Sequence, residues 1–184
     1  MKTLLCITGL PGAGKSSVAN ILSNLLSEPV VTMGDAIRME ARRRGLEPTS
    51  SNLNRLMKKL REEEGKEIVA KLVEPLIEEK GEKIVIIDGV RNSGEIKYFK
   101  SRYFVVLIGV LASPLTRYNR LKRRGRKDAP KNFDEFLSRD ATEISVGLAE
   151  VLTLSDHLIL NDGSYLDLVK KCLSLWREVR DLIT

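Results

Sequence analysis

The sequence predicts an α/β fold, a three-layer α/β/α sandwich built on a five-stranded parallel sheet. Three observations lead there. Five short apolar runs alternate with stretches of helical period, the pattern of strands joined by crossover helices. Two of them, Ile84–Ile87 and Tyr103–Val110, are continuously apolar, as strands covered on both faces are. Between the first run and the first helix stands Gly9-Leu10-Pro11-Gly12-Ala13-Gly14-Lys15-Ser16, which fits G-x-x-x-x-G-K-[ST] at every fixed position. A length of 184 residues suits one domain with a substantial core, and no linker, repeat or low-complexity segment divides it.

Leu4-Leu5-Cys6-Ile7-Thr8 reads as the first buried strand. After the glycine loop, Val18, Ile21, Leu22, Leu25 and Leu26 recur at helical spacing, and Ser27-Glu28-Pro29 ends that helix. Val30-Val31-Thr32 is a short second strand. Gly34-Asp35-Ala36-Ile37-Arg38 opens a helix that Gly45 stops. Glu47 to Ser51 supply a turn and N-cap for a helix through Leu53, Leu56, Met57 and Leu60, broken at Gly65. The next helix runs through Ile68, Leu72, Leu76 and Ile77, with a kink expected at Pro75. Ile84–Ile87 is the third strand and Tyr103–Val110 the fourth. A helix over Ser113 to Arg124, a basic loop through Lys131 and helix in two pieces over Phe133 to Leu154 follow. Leu158-Ile159-Leu160 is the fifth strand, and Ser164 caps a last helix carrying Leu166, Val169, Leu173 and Trp176. Residues 33–80 then form a helical insertion between the second and third strands. Ligands of such sheets lie beyond the strands' carboxyl ends, where Gly9, Asp35, Asp88 and Asp162 emerge.

Composition narrows the functional classes. Hydrophobic residues at 42% and charged residues at 30% fit a globular, cytoplasmic protein. No apolar run is long enough to span a bilayer, and the glycine loop begins too early for a signal peptide. Cys6 and Cys172 lack metal-ligand spacing and read as core residues. His157, the single histidine, sits at a strand start, so histidine-based triads and metal sites have little to work with. The net charge of +6 is concentrated in Arg38 with Arg42 to Arg44, and in Arg117 to Lys127, where seven of eleven residues are Lys or Arg. Such clusters serve either nucleic acid or a phosphate cleft.

The loop carries the chemistry. Its glycines let backbone N–H groups curl around a phosphate, and the helix N-terminus adds partial positive charge. Gly9, Pro11, Gly12, Ala13, Gly14 and Ser17 surround the phosphates, Lys15 reaches the β- and γ-phosphates, and the Ser16 hydroxyl meets Mg²⁺. Asp88, delivered by the third strand, reaches the same ion. A P-loop NTPase fold binding ATP and Mg²⁺ is the expectation.

With these residues in view, the chain resembles adenylate kinase and related P-loop nucleotide kinases. Pro11 matches that group's glycine loop. Gly34-Asp35-x-x-Arg38 looks like its acceptor-phosphate motif. Asp88-Gly89-Val90-Arg91 is similar to its second arginine motif, one residue shorter. The likeness, closest to archaeal adenylate-kinase-related proteins, implies an acceptor site at Gly34, Asp35, Arg38, Gly89 and Arg91, with an acceptor-binding region over about 33–80 and a small basic lid over about 117–140. Glu95 stands where adenylate kinase uses a glutamine to read adenine; a carboxylate accepts from the exocyclic amine but cannot donate to a ring nitrogen. Ser155 to Ser164 resembles dephospho-CoA kinase, with Asn161 and Gly163 at the nucleotide and Asp35 aligned with the aspartate that activates a ribose hydroxyl.

Phosphoryl transfer needs alignment and charge neutralisation. Arg38 and Arg91 can fork onto an acceptor phosphate, and Arg120, Arg124, Arg126 and Arg139 can cover the moving group beside Lys15. A phosphate acceptor is already ionised, whereas a hydroxyl acceptor needs Asp35 as base. The expectation is a nucleotide kinase acting on AMP or dephospho-CoA, as a monomer or small homo-oligomer without a membrane. An ATPase switch acting on RNA or ribosomal particles is the reading from another class.

Overall fold

In the computed structural model, which describes residues 1–125 and 129–183, the strands are β1 (Thr3–Thr8), β2 (Val30–Thr32), β3 (Ile84–Asp88), β4 (Phe104–Leu111) and β5 (His157–Leu160). All pair in parallel, in the order β2-β3-β1-β4-β5. Every residue of β1 is buried, which explains why its run is apolar without alternation.

Two apolar layers sandwich the sheet. On one face Val85, Ile87 and Leu107 pack against α2 (Met33–Arg43), α3 (Ser50–Glu64), α4 (Ile68–Glu78), α5 (Ser93–Lys100) and α8 (Leu148–Thr153). On the other, Leu5, Ile7 and Ile108 pack against α1 (Lys15–Leu26) and α9 (Tyr165–Ile183). The remaining helices, α6 (Pro114–Arg123) and α7 (Phe133–Ser145), flank the basic loop. No helix among the described residues is long and apolar enough to cross a membrane.

Local chemistry sets the boundaries. Thr49 caps α3, its hydroxyl accepting from the Asn52 N–H at 3.3 Å. Gly65 ends that helix at a φ of 94°, and Gly147, at 111°, separates α7 from α8. The split expected within 133–154 therefore falls at a glycine. Pro75 lies inside α4, which continues to Glu78. Cys6 and Cys172 are buried free thiols, as expected, and His157 opens β5.

Candidate active site

The glycine loop joins β1 to α1 at the carboxyl edge of the sheet. Gly14 is the N-cap of α1 at a φ of 104°, with no side-chain cap; a helix start left uncapped by a side chain suits an anion. A Cβ there would lie 2.2 Å from Asn161 Nδ2, and one at Gly12 would lie 2.7 Å from the Arg117 carbonyl oxygen. Only glycine lets the loop approach its surroundings this closely. Lys15 folds back over the loop and its Nζ donates to the carbonyls of Gly9 at 2.7 Å and Leu10 at 3.3 Å. Burial first, then the positive charge of Arg91, lowers its pKa from 10.5 to about 8, with Asp88 and Glu143 opposing.

The Ser16 hydroxyl donates to Asp88 Oδ2 at 2.7 Å. The other carboxylate oxygen, Asp88 Oδ1, is buried without a hydrogen-bond partner. A buried orphan acceptor beside a serine hydroxyl suits a hard cation. No cluster of three acidic, histidine or cysteine ligands exists among the described residues, and Mg²⁺ is the ion held by few protein groups plus phosphate oxygens and water. Ser16 and Asp88 fit that role.

The loop opens onto a cleft of about 390 Å³. Among the described residues, Lys15, Arg38, Arg91, Arg124 and Arg139 line it, against two acids, Asp88 and Glu143, so its field favours polyanions. Gly9, Pro11, Gly12, Gly34 and Gly89 lie on its walls. Arg124 also borders a second cavity of about 330 Å³, formed with Gly14, Ser17, Arg120, Asn161, Gly163 and Tyr165. Asn161 ties β5 to the loop, its Nδ2 donating to the Ala13 carbonyl at 2.8 Å. Arg120 approaches the Ala13 carbonyl and Asn161 Oδ1, each at 3.4 Å.

Three expectations change. Glu95 does not line either cavity. It is 1% exposed, its Oε1 accepts from Asn92 Nδ2 at 2.9 Å and Arg61 at 3.1 Å, and its Oε2 accepts from the Arg91 N–H at 2.8 Å. With Asn92 it forms the capping box of α5, so it is not placed to read an acceptor base. Burial raises its pKa and Arg61 opposes. Asp35 lies on the first turn of α2 outside the cleft lining; one oxygen accepts from both Nε and a terminal nitrogen of Arg38. Arg117, within the expected basic lid, is buried instead: its two terminal nitrogens donate to Asp140 at 2.8 and 2.6 Å, and it reaches the Pro11 carbonyl at 3.3 Å. Asp162 emerges at the strand end and accepts from the Ser113 N–H at 2.9 Å, fixing the start of α6. Arg126 lies outside the described residues.

Sequence reading overlooked Glu143 and the Arg117–Asp140 pair. The available signal was the inward face of α7, where Phe136, Asp140 and Glu143 share helical spacing. Acids on an otherwise inward-facing stripe require partners. Here those are Arg117 for Asp140 and Arg91 for Glu143, the latter at 3.1 Å.

A phosphate cradle between β1 and α1, with Lys15, Ser16 and Asp88 grouped above this sheet order, defines a P-loop protein of the nucleotide-kinase-like class. The chain belongs to the UPF0200 family, and an AAA-domain family also matches residues 8–136. A UPF0200 protein of Hyperthermus butylicus is 42% identical over 163 residues, covering 89% of this chain and 87% of the relative. One from Methanocaldococcus jannaschii is 40% identical over 178 residues, covering 96% and 90%. Among solved structures, a shikimate kinase from Bacteroides thetaiotaomicron shares the fold with a TM-score of 0.65 at 16% identity, covering 97% of this chain and 98% of the other. A gluconokinase from Sinorhizobium meliloti does so at 0.58 and 15%, covering 98% and 95%.

Proposed function

We propose that this protein is an ATP-dependent phosphotransferase that moves the γ-phosphoryl group onto a phosphate-bearing adenosine nucleotide, most simply AMP. The observation that carries the reading is that one cleft brings together the glycine loop with Lys15 and two arginines that follow neighbouring strands, Arg38 on α2 and Arg91 just after β3. In the transfer the bond from the γ-phosphorus to the β–γ bridging oxygen breaks, and a bond to an acceptor phosphate oxygen forms. The protein's part is to hold the two oxygens in line and balance the charge on the phosphoryl group. Mg²⁺, held by Ser16 and Asp88, supplies further charge neutralisation when bound. Lys15, Arg124 and Arg139 line the cleft in which the transferring group would lie. A screen of ATP consumption across nucleoside monophosphates and dephospho-CoA tests this; no consumption with any acceptor would remove the kinase reading.

Arg38→Ala and Arg91→Ala should each weaken acceptor binding by about 1.5–3 kcal/mol, the worth of a charge-assisted hydrogen bond, and leave ATP binding nearly unchanged. Calorimetry with each ligand checks this, and equal losses for both ligands would contradict the assignment.

Asp35→Asn separates a phosphate acceptor from a hydroxyl acceptor such as dephospho-CoA. With AMP the neutral isostere still orients Arg38, so turnover should fall only modestly. A hydroxyl acceptor needs a base there, and its loss costs about 10²–10⁴-fold. The position of Asp35 beside the exposed Arg38, rather than on the cleft wall, supports the phosphate acceptor. Steady-state kinetics with the acceptor found in the screen decides.

A further inference from the structure

Glu143 is a carboxylate in a cleft otherwise built for anions. Its side chain is 14% exposed, it lines the same cavity as Lys15, and its Oε1 accepts from Arg91 at 3.1 Å. Its second oxygen has no hydrogen-bond partner among the described residues. Both members of this pair are held from behind. Glu95 accepts from the Arg91 backbone N–H at 2.8 Å. One turn before Glu143, Asp140 is locked onto Arg117, which in turn reaches the Pro11 carbonyl. The Arg91–Glu143 pair is therefore tied to the start of α5 through Glu95 and to the glycine loop through Asp140 and Arg117.

An ionised carboxylate offers only acceptor sites and repels a phosphate brought beside it, so it is unsuited to binding the anion itself. What it can take, next to a phosphate held by Arg91, is a neutral hydrogen-bond donor on the same molecule. In a nucleoside 5′-monophosphate the donors nearest the phosphate are the sugar hydroxyls; a base amine lies across the ring. We propose that Glu143 is a specificity-determining residue that accepts a hydrogen bond from a ribose hydroxyl of the acceptor and selects ribonucleotides over deoxyribonucleotides. The inference rests on the nucleotide-kinase reading and assigns the group that recognises the acceptor's sugar. A site built to hydrogen-bond a hydroxyl discriminates against a ligand lacking it, because the buried polar group is left unpaired.

The test is calorimetric binding of AMP, 2′-deoxy-AMP and 3′-deoxy-AMP to the wild type, Glu143→Ala and Arg91→Ala, with ATP affinity as the control for an intact fold. The readout is the affinity ratio of AMP to the weaker deoxy form. It should be about tenfold or more in the wild type, as for a hydrogen bond to a charged group. In Glu143→Ala it should fall to near one, whereas Arg91→Ala should weaken all three ligands and keep the ratio. Glu143→Gln, equal in size, serves if the alanine variant does not fold; it should retain only part of the ratio. A wild-type ratio near one, or a ratio unaltered by the change at Glu143, overturns the inference, since Glu143 would then only orient or neutralise Arg91. AMP that binds with an unaltered ratio removes this inference alone. A wild type that binds none of the three removes AMP as the acceptor and the inference with it.

Discussion

Lys15→Ala is expected to abolish phosphoryl transfer in a protein that still folds. The ammonium is positioned over the loop by the Gly9 and Leu10 carbonyls, on the wall of the cleft in which the proposed transfer would take place. Removing one preorganised donor of this kind costs on the order of 3 kcal/mol of transition-state stabilisation, about a hundredfold or more in turnover. The fold should not suffer. Burial and Arg91 already hold the ammonium at a disadvantage, so its removal relieves desolvation rather than breaking a net stabilising contact. Single-turnover kinetics and a thermal melt on the same sample give the test. Normal turnover in a folded variant would end the kinase reading.

Asp140→Ala should produce the largest loss of stability. Arg117 is 3% exposed and gives both terminal nitrogens to Asp140, with its guanidinium 4.8 Å from the Phe136 ring centroid. Removing the carboxylate leaves a buried cation without its counter-charge, which typically costs about 3–5 kcal/mol. For a domain of this size that is a fall in melting temperature of roughly 10 °C. Because Arg117 also reaches the Pro11 carbonyl at 3.3 Å, ATP affinity should drop together with stability. The double variant Arg117→Met/Asp140→Leu should recover most of the stability, since a packed apolar pair replaces a buried ionic one at little cost. Denaturant unfolding of the three proteins checks this; a single variant as stable as the wild type would show that the pair carries little.

The strands were legible because parallel pairing buries both faces and leaves continuous apolar runs, as at Ile84–Ile87. The phosphate loop was legible because its spacing is a backbone requirement, met here by positive φ at Gly9, Gly12 and Gly14. The helix over Ser93–Lys100 is eight residues long and gives too little periodicity to stand out, yet Asn92 and Glu95 spelled its start as a capping box. That same spelling is why Glu95 misled: three residues of spacing suit a cap as well as a cleft, and only burial separates the two. Arg117 misled for the opposite reason. In a run of seven basic residues among eleven, nothing local marks which one turns inward; its partner lies 23 positions away in sequence.

Lys15 also makes nucleotide binding a proton-linked event. In the free protein its pKa of about 8 leaves the side chain roughly half charged at pH 8 and mostly neutral at pH 9. A polyphosphate placed against it favours the charged form, so binding should draw a proton from solution: about half a proton at pH 8, approaching one at pH 9. Calorimetric heats measured in buffers of different ionisation enthalpy would report that uptake directly, and it should vanish in Lys15→Ala. Folding carries the opposite sign. Between pH 8 and 10.5 the unfolded chain holds the proton more tightly than the native one, so this residue makes the free protein more stable as pH rises through that window. Alkaline conditions would therefore suit the empty protein, while the triphosphate would be gripped by a lysine that has first to be recharged.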